Sequence, residues 1–572
     1  MIAYLPLFLA LASAANAARP TVTLGGTTWV GRDVILLRQD FFGGIPFAEA
    51  PVGELRLRPP VKAKISEGSF DASNFSPFCL QPMSIGGLLT PQGFSLSEMS
   101  EDCLTVNVYR PSGVSKGANL PVLFWTYGGA FQGGSANKFN SSAIVAQSAF
   151  RGTPVIVVTH NYRLGPLGFA QGAEAHRKGA LNLALRDQVA ALEWVQENIC
   201  HFGGDKDKVT IFGESAGAIM IGVQFLNPDF SKLVRAAIFE SGSAATPLEH
   251  TAEAREAVWT NFVAGVPECA SVANTNNTFD CLKTANTSSI FQGLEAAINK
   301  ADEQTPFNPT LDGPGGFLPD RPSRLWKQGR FARAPFIAGT NLDEGTFIIP
   351  QDPNMDYGDK NLRSVLLKEL SPPDVTRETL NHAIDRLLEL YPDIPALGSP
   401  YNTGNETFGL PRGYKRWTSI HGDAAFDSQR RLWQQTAANS GVKTYGYLFT
   451  QPQPDSGPLG GKALSVSISN PTYMFALPVT HAVDLPYVFR NVTRATDVSL
   501  SRLMIDYWVS FATSLDPNDG KGFSRPTWES YTPDNQVLLE LNSANTRLIL
   551  DDYRKEQIEF INQNPKPFFH KR

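Results

Sequence analysis

The chain has 572 residues, 42% of them hydrophobic and 18% charged, with a formal net charge of -5. Such a composition buries a large core and excludes disordered and fibrous chains. With no run of Lys and Arg interleaved with aromatics, it offers no field for gathering phosphates, and nucleic acid is not expected as a partner.

In chain order, residues 1–17 (MIAYLPLFLALASAANA) join an apolar stretch from Ile2 to Ala12 to Ala15-Asn16-Ala17, an A-x-A cleavage pattern. They predict a signal peptide removed before Ala18, although only the amino terminus supplies positive charge at its start. The apolar run is short for a membrane anchor, no later segment reads as a span, and the end (PFFHKR) carries neither a lipid-anchor tail nor a retention signal. A secreted, extracellular product is expected. Export permits disulfides, and the five Cys imply two bridges between sequence-near partners, Cys79 with Cys103 and Cys269 with Cys281. Cys200, in the helical run ALEWVQENICHF, is then the thiol left over. N-x-S/T sequons at Asn74, Asn140, Asn276, Asn286, Asn405 and Asn491 are candidate glycosylation sites.

Short apolar, β-branched runs recur at 121–127, 154–159, 209–212, 235–240 and 335–339. Helical periodicity lies between them, notably at 181–200 and 253–263. Strands alternating with helices predict an α/β fold with a mainly parallel sheet covered on both faces. Residues 352–435 or so read as added helical structure. No internal repeat or long linker appears, so 18–572 reads as a single catalytic domain with insertions.

The strongest local signal is VTIFGESAGA, residues 209–218, in which an apolar strand meets Gly213-Glu214-Ser215-Ala216-Gly217. This is the G-x-S-x-G pattern of a nucleophile elbow, a sharp strand-to-helix turn with Ser215 at the helix N-terminus. There, backbone N–H groups and the helix dipole favour developing negative charge. Further oxyanion donors are expected from the Tyr127-Gly128-Gly129-Ala130-Phe131 loop after an earlier strand, with Gly129, Ala130 and Ala216 supplying N–H groups. The chain has no H-E-x-x-H motif and no paired C-x-x-C spacing, so neither metal nor cofactor is expected.

These motifs resemble the type-B carboxylesterase and lipase family of cholinesterase-like α/β-hydrolases, in character nearest to secreted fungal lipases and sterol esterases. FGGIPFAEAPVGELRLRPP (42–60) resembles the family's N-terminal block, SEDCLTVNVYRP (100–111) its second signature and FGGDKDKVTIFGESAGA (202–218) its nucleophile signature. The resemblance implies an α/β-hydrolase fold and a Ser-His-Glu triad. His481, in PVTHAVDLPYVF, resembles the catalytic histidine segment, with His421 in SIHGDAAF as its rival. His382 sits on an apparent surface helix and His570 in the tail. GTNLDEGTF resembles the acid motif and assigns Glu344, although residue chemistry alone does not separate it from Asp343. Ala130 departs from the family by standing where a third glycine is common, and its methyl group would narrow the site.

By the same resemblance, the loop closed by Cys79 and Cys103 is a lid-type loop. It contains Met83, Ile85, Leu88, Leu89, Phe94, Leu96 and Met99, which offer transient contact with a lipid interface or pack as an ordinary surface loop. Phe131 and Phe347 resemble acyl-pocket positions. Glu214 and Ser241 match positions that line or brace the site, or are buried structural polar groups. The expected activity is hydrolysis of carboxylic esters with hydrophobic parts through an acyl-enzyme on Ser215. Specialisation toward sterol or aromatic-acid esters is the alternative, and a non-catalytic adhesion relative a remote one. Nothing in the sequence speaks to oligomeric state.

Overall fold

A computed structural model of the chain describes residues 19–83, 95–246, 250–301, 305–370, 375–452 and 479–568. The predicted signal peptide, loop residues Ile85, Leu88, Leu89 and Phe94, and His570 lie outside the described residues.

Eleven strands among the described residues form one sheet. In chain order they are β1 (Arg32–Val34), β2 (Gln39–Pro46), β3 (Thr105–Pro111), β4 (Leu120–Thr126), β5 (Ile156–His160) and β6 (Gly204–Glu214). β7 (Ala236–Glu240), β8 (Phe336–Asn341), β9 (Thr444–Phe449), β10 (Val537–Leu541) and β11 (Arg547–Leu550) complete it. Their spatial order is β11-β10-β9-β8-β7-β6-β4-β5-β3-β2-β1. From β5 to β10 the neighbours run parallel, while β3, β2 and β1 on one flank and β11 on the other are antiparallel. The five strands expected from apolar runs are β4 to β8. β5, β7 and β8 are buried throughout, and β4 and β6 from Val122 and Val209 onward, as a parallel sheet covered on both faces requires.

The helices that cover these faces include α1 (Ser142–Phe150), α2 (Leu183–Asn198) and α3 (Ala216–Phe225). In α2 the buried residues Leu183, Ala184, Asp187, Gln188, Ala191, Leu192 and Val195 recur at three- and four-residue spacing, giving one inward stripe. All ten residues of α3 are buried. Between β8 and β9 lie α4 (Asp359–Glu369), α5 (Arg377–Leu390), α6 (Tyr414–Gly422) and α7 (Ser428–Asn439), with a wide π-type turn at Asp423–Asp427. Leu362 and Leu366 of α4, Ile384 and Leu387 of α5, and Trp417 and Ile420 of α6 belong to a second apolar cluster apart from the sheet core. Further on, α8 (Ala495–Ser514) packs against α1 and the sheet.

Disulfides join Cys79 to Cys103 and Cys269 to Cys281, and Cys200 is a half-buried thiol. No helix among the described residues is long and apolar enough to cross a membrane.

Candidate active site

The chemistry-bearing residues gather where the parallel strands end at their carboxyl termini, the usual place for a ligand in an open α/β sheet. Ser215 follows β6 and starts α3 with φ 53° and ψ -124°, a conformation an L-residue holds only when its surroundings force it. Here the forcing is visible. The Ser215 N–H donates to Glu240 O at 2.9 Å, tying the turn to β7. A Cβ on Gly213 would lie 2.6 Å from Thr126 O, and one on Gly217 would lie 2.1 Å from it, so both glycines let β4 approach the turn.

Just after β4, Gly129, Ala130 and Phe131 all have positive φ, at 118°, 56° and 63°. The turn is held by Gln132 N and Gly133 N, which donate to Gly129 O at 3.0 and 3.1 Å. Gln132 Nε2 secures it from outside by donating to Ala130 O at 3.1 Å and to Phe307 O. Among the described residues, the N–H groups of Gly129 and Ala130 enter no hydrogen bond. Ala216, the first residue of α3, contributes one of the helix's orphan N–H groups.

Glu344 follows β8 and is fully buried. Its Oε1 accepts from Ser241 Oγ at 2.6 Å and from Asn341 N at 2.7 Å. Its Oε2 is 2.6 Å from His481 Nδ1. The His481 loop is fixed to the end of β8 by Asp343 N donating to Val479 O at 3.0 Å and Thr346 Oγ1 to Thr480 Oγ1 at 2.9 Å. The imidazole also meets two aromatic rings, Phe347 at 5.2 Å and Phe426 at 4.7 Å. Gly128, Gly129, Ala130, Glu214, Ser215, Phe347 and His481 line one cavity of about 710 Å³, whose wall continues through Phe139, Leu485, Pro486 and Phe489.

Residues 23–561 match the Carboxylesterase family. Lipase 2 of Geotrichum candidum is 31% identical over 96% of this chain and 97% of its own. Carboxylesterase 5A of Canis lupus familiaris is 32% identical over 96% of this chain and 90% of its own. The chain belongs to the carboxylesterase family. It is a carboxylic ester hydrolase, similar also to a secreted triacylglycerol lipase of Gibberella zeae at 32% identity over 96% of this chain and 91% of that one. Among solved structures, PNB esterase superposes with a TM-score of 0.73 at 27% identity, covering 94% of this chain and 99% of that one. Aspergillus niger EstA, at 22% identity, shares the fold with a TM-score of 0.78 over 96% of this chain and 99% of its own.

In this carboxylesterase, buried carboxyls surround the histidine. Burial alone would lower the His481 pKa, but Glu344 and then Glu214 more than reverse that and lift it to about 9. Burial also raises Glu214, to about 8, against the pull of His481. Glu214 Oε1 lies 3.1 Å from His481 Nε2 but outside hydrogen-bonding geometry. No hydrogen bond joins Ser215 Oγ to Nε2 among the described residues, a looseness common before substrate binds.

The rivals are separated by where they point. Asp343 Oδ1 accepts from Ser399 Oγ at 2.9 Å and Tyr401 N at 2.8 Å, so it braces a loop and does not face His481. His421 lies on α6 with Nδ1 at 2.8 Å from Trp417 O and Nε2 at 3.3 Å from Glu369. His382 is exposed on α5. Phe131 packs edge-on against Phe169 at 5.1 Å and is not among the cavity-lining side chains, whereas Phe347 is. Ser241 braces Glu344 from behind. All six sequon asparagines are exposed, and Asn140 and Asn491 are in the cavity wall.

Residues the motifs did not flag complete the setting. Asn341 Nδ2 donates to Thr480 O and to Asp484 Oδ1, both at 3.2 Å, and Tyr447 OH donates to Asp484 Oδ2 at 3.0 Å. Phe426 reaches His481 from the π-type turn, a feature often found at functional sites. Its only sequence signal is aromatic character within an otherwise ordinary helical run.

Proposed function

We propose that Ser215 Oγ is the nucleophile of an acyl-enzyme mechanism in which His481 is the base and Glu344 orients it. The observation that carries this reading is the Glu344–His481 contact at 2.6 Å in the cavity that also holds the Ser215 elbow. Ser215 Oγ attacks the ester carbonyl while its proton passes to His481 Nε2, and the carbonyl π electrons move onto oxygen. The N–H groups of Gly129, Ala130 and Ala216 bind that oxyanion. Collapse expels the alcohol, which takes the proton from Nε2. Water then repeats the cycle, releasing the acid and restoring Ser215. Glu344 holds the ring through Nδ1 and stabilises the imidazolium.

The substrates are esters with hydrophobic parts. Phe139, Phe347, Leu485, Pro486 and Phe489 give the cavity an apolar wall, and its volume is that of a site for one drug-sized ligand. The lipases among the relatives favour acyl esters of lipids, and the secreted relative, with two disulfides here, favours export. Intact Ser215, Glu344 and His481 argue against a purely adhesive role. A fluorophosphonate should label the Ser215 peptide in mass spectrometry, and Ser215→Ala should abolish both labelling and hydrolysis of p-nitrophenyl butyrate. Wild-type hydrolysis by that variant would reject the mechanism.

A further inference from the structure

A hairpin beside the cavity presents aliphatic side chains to water. β1 and β2 pair Val34 with Gln39, and the four residues between them form the loop Ile35-Leu36-Leu37-Arg38. Ile35 is 73% exposed, Leu36 97% and Leu37 42%. Arg38 N donates to Ile35 O at 3.1 Å and Arg38 has φ 50°, so the loop is one closed turn with its apolar side chains held outward.

The turn is fixed to the cavity wall. Gln39 Nε2 donates to Ser142 O at 2.7 Å, and Ser142 begins α1, whose Ser142, Ala143, Ala146 and Gln147 line the cavity. Leu37 lines it too, so the exposed tip is continuous with the cavity that holds Ser215. Arg32 and Arg38 flank the tip on the same hairpin, both exposed.

We propose that Ile35, Leu36 and Leu37 form a lipid-surface anchor that seats the cavity mouth on the interface of a water-insoluble ester. Large aliphatic side chains in water are favourably removed from it, and aliphatics beside cations are the composition of segments that lie in an interface. A lipid surface accepts such a tip without shape complementarity. A second copy of the chain would not, because a stable protein interface buries roughly 1,200–2,000 Å² in total and a four-residue turn supplies little of it. The anchor lies outside the sequence segment between Cys79 and Cys103, and its substrate side rests on the ester-hydrolase reading.

The test is the full-length Ile35→Ser, Leu36→Ser double variant, whose substituted residues are outside the cavity wall. Depletion from water onto emulsified trioctanoin should fall by roughly tenfold or more, with emulsion hydrolysis falling in proportion. Hydrolysis of dissolved p-nitrophenyl butyrate should be unchanged, which also reports that the variant is folded. Ser215→Ala should adsorb to the emulsion as wild type does while hydrolysing neither substrate, so failure of the mechanism and failure of the anchor give different results. Wild-type adsorption by the double variant would overturn the proposal. So would a dimer in light scattering that the double substitution splits, which would assign the tip to a second copy.

Discussion

Glu214→Gln tests the electrostatics of the site. In the proposed mechanism His481 is a base only when neutral, so with its pKa held at about 9, kcat/KM should rise with pH toward that value and level off above it. Above its own pKa of about 8, and so through the upper part of that limb, Glu214 is ionised. Its Oε1 lies 3.1 Å from Nε2 and favours the imidazolium. Even at the dielectric constant of water, attraction over this distance is worth about 1.3 kcal/mol, and less polarisable surroundings enlarge it. That is about one pKa unit. Glutamine keeps the shape and removes the charge. The rising limb should therefore move toward lower pH by about one unit or more. The assay is kcat/KM for p-nitrophenyl butyrate from pH 5 to 10, a range of roughly the titrating values here, corrected for spontaneous hydrolysis. A limb that stays in place or moves to higher pH would refute the account, because the other carboxylates would then be setting the His481 pKa alone.

Other substitutions separate the remaining roles. Ser215→Ala should lower kcat on the order of 10⁴-fold or more with the fold intact, read by circular dichroism and turnover together. Glu344→Gln should cost on the order of 10³-fold or more in kcat, whereas Asp343→Asn, which only loosens the Ser399–Tyr401 brace, should lower the melting temperature and leave the pH profile in place. Gly217→Ala would put a methyl 2.1 Å from Thr126 O in backbone that cannot yield, so soluble yield or melting temperature should drop sharply. Ala130→Gly keeps the backbone N–H, removes the strain of φ 56° and widens the proposed oxyanion turn. Its kcat/KM for a branched-acyl ester should rise relative to that for the acetate, and an unchanged ratio would show that the methyl group does not limit acyl size.

The parts of this molecule that were legible in the sequence are those whose physics is local. A strand meeting Gly-x-Ser-x-Gly must turn sharply, and the two glycines are needed because Thr126 O stands where their side chains would be. Apolar runs gave the five central strands β4 to β8 for the same reason, since a strand buried on both faces needs no alternation. By contrast, β9 carries no unbroken apolar run because Gly446 interrupts TYGYLF, and the need for that glycine is set by Leu538 of β10, more than ninety positions on, whose side chain would be 2.3 Å from a Cβ there. Which carboxylate faces His481 has the same character. Asp343 and Glu344 are adjacent and alike in charge, so no local property separates them. What separates them is that Asp343 N pairs with Val479 O, a contact between distant segments that directs the next carboxylate at His481 and turns Asp343 toward Tyr401. A motif therefore delimits which groups are available for catalysis, and the crossing of remote segments decides which of them face one another.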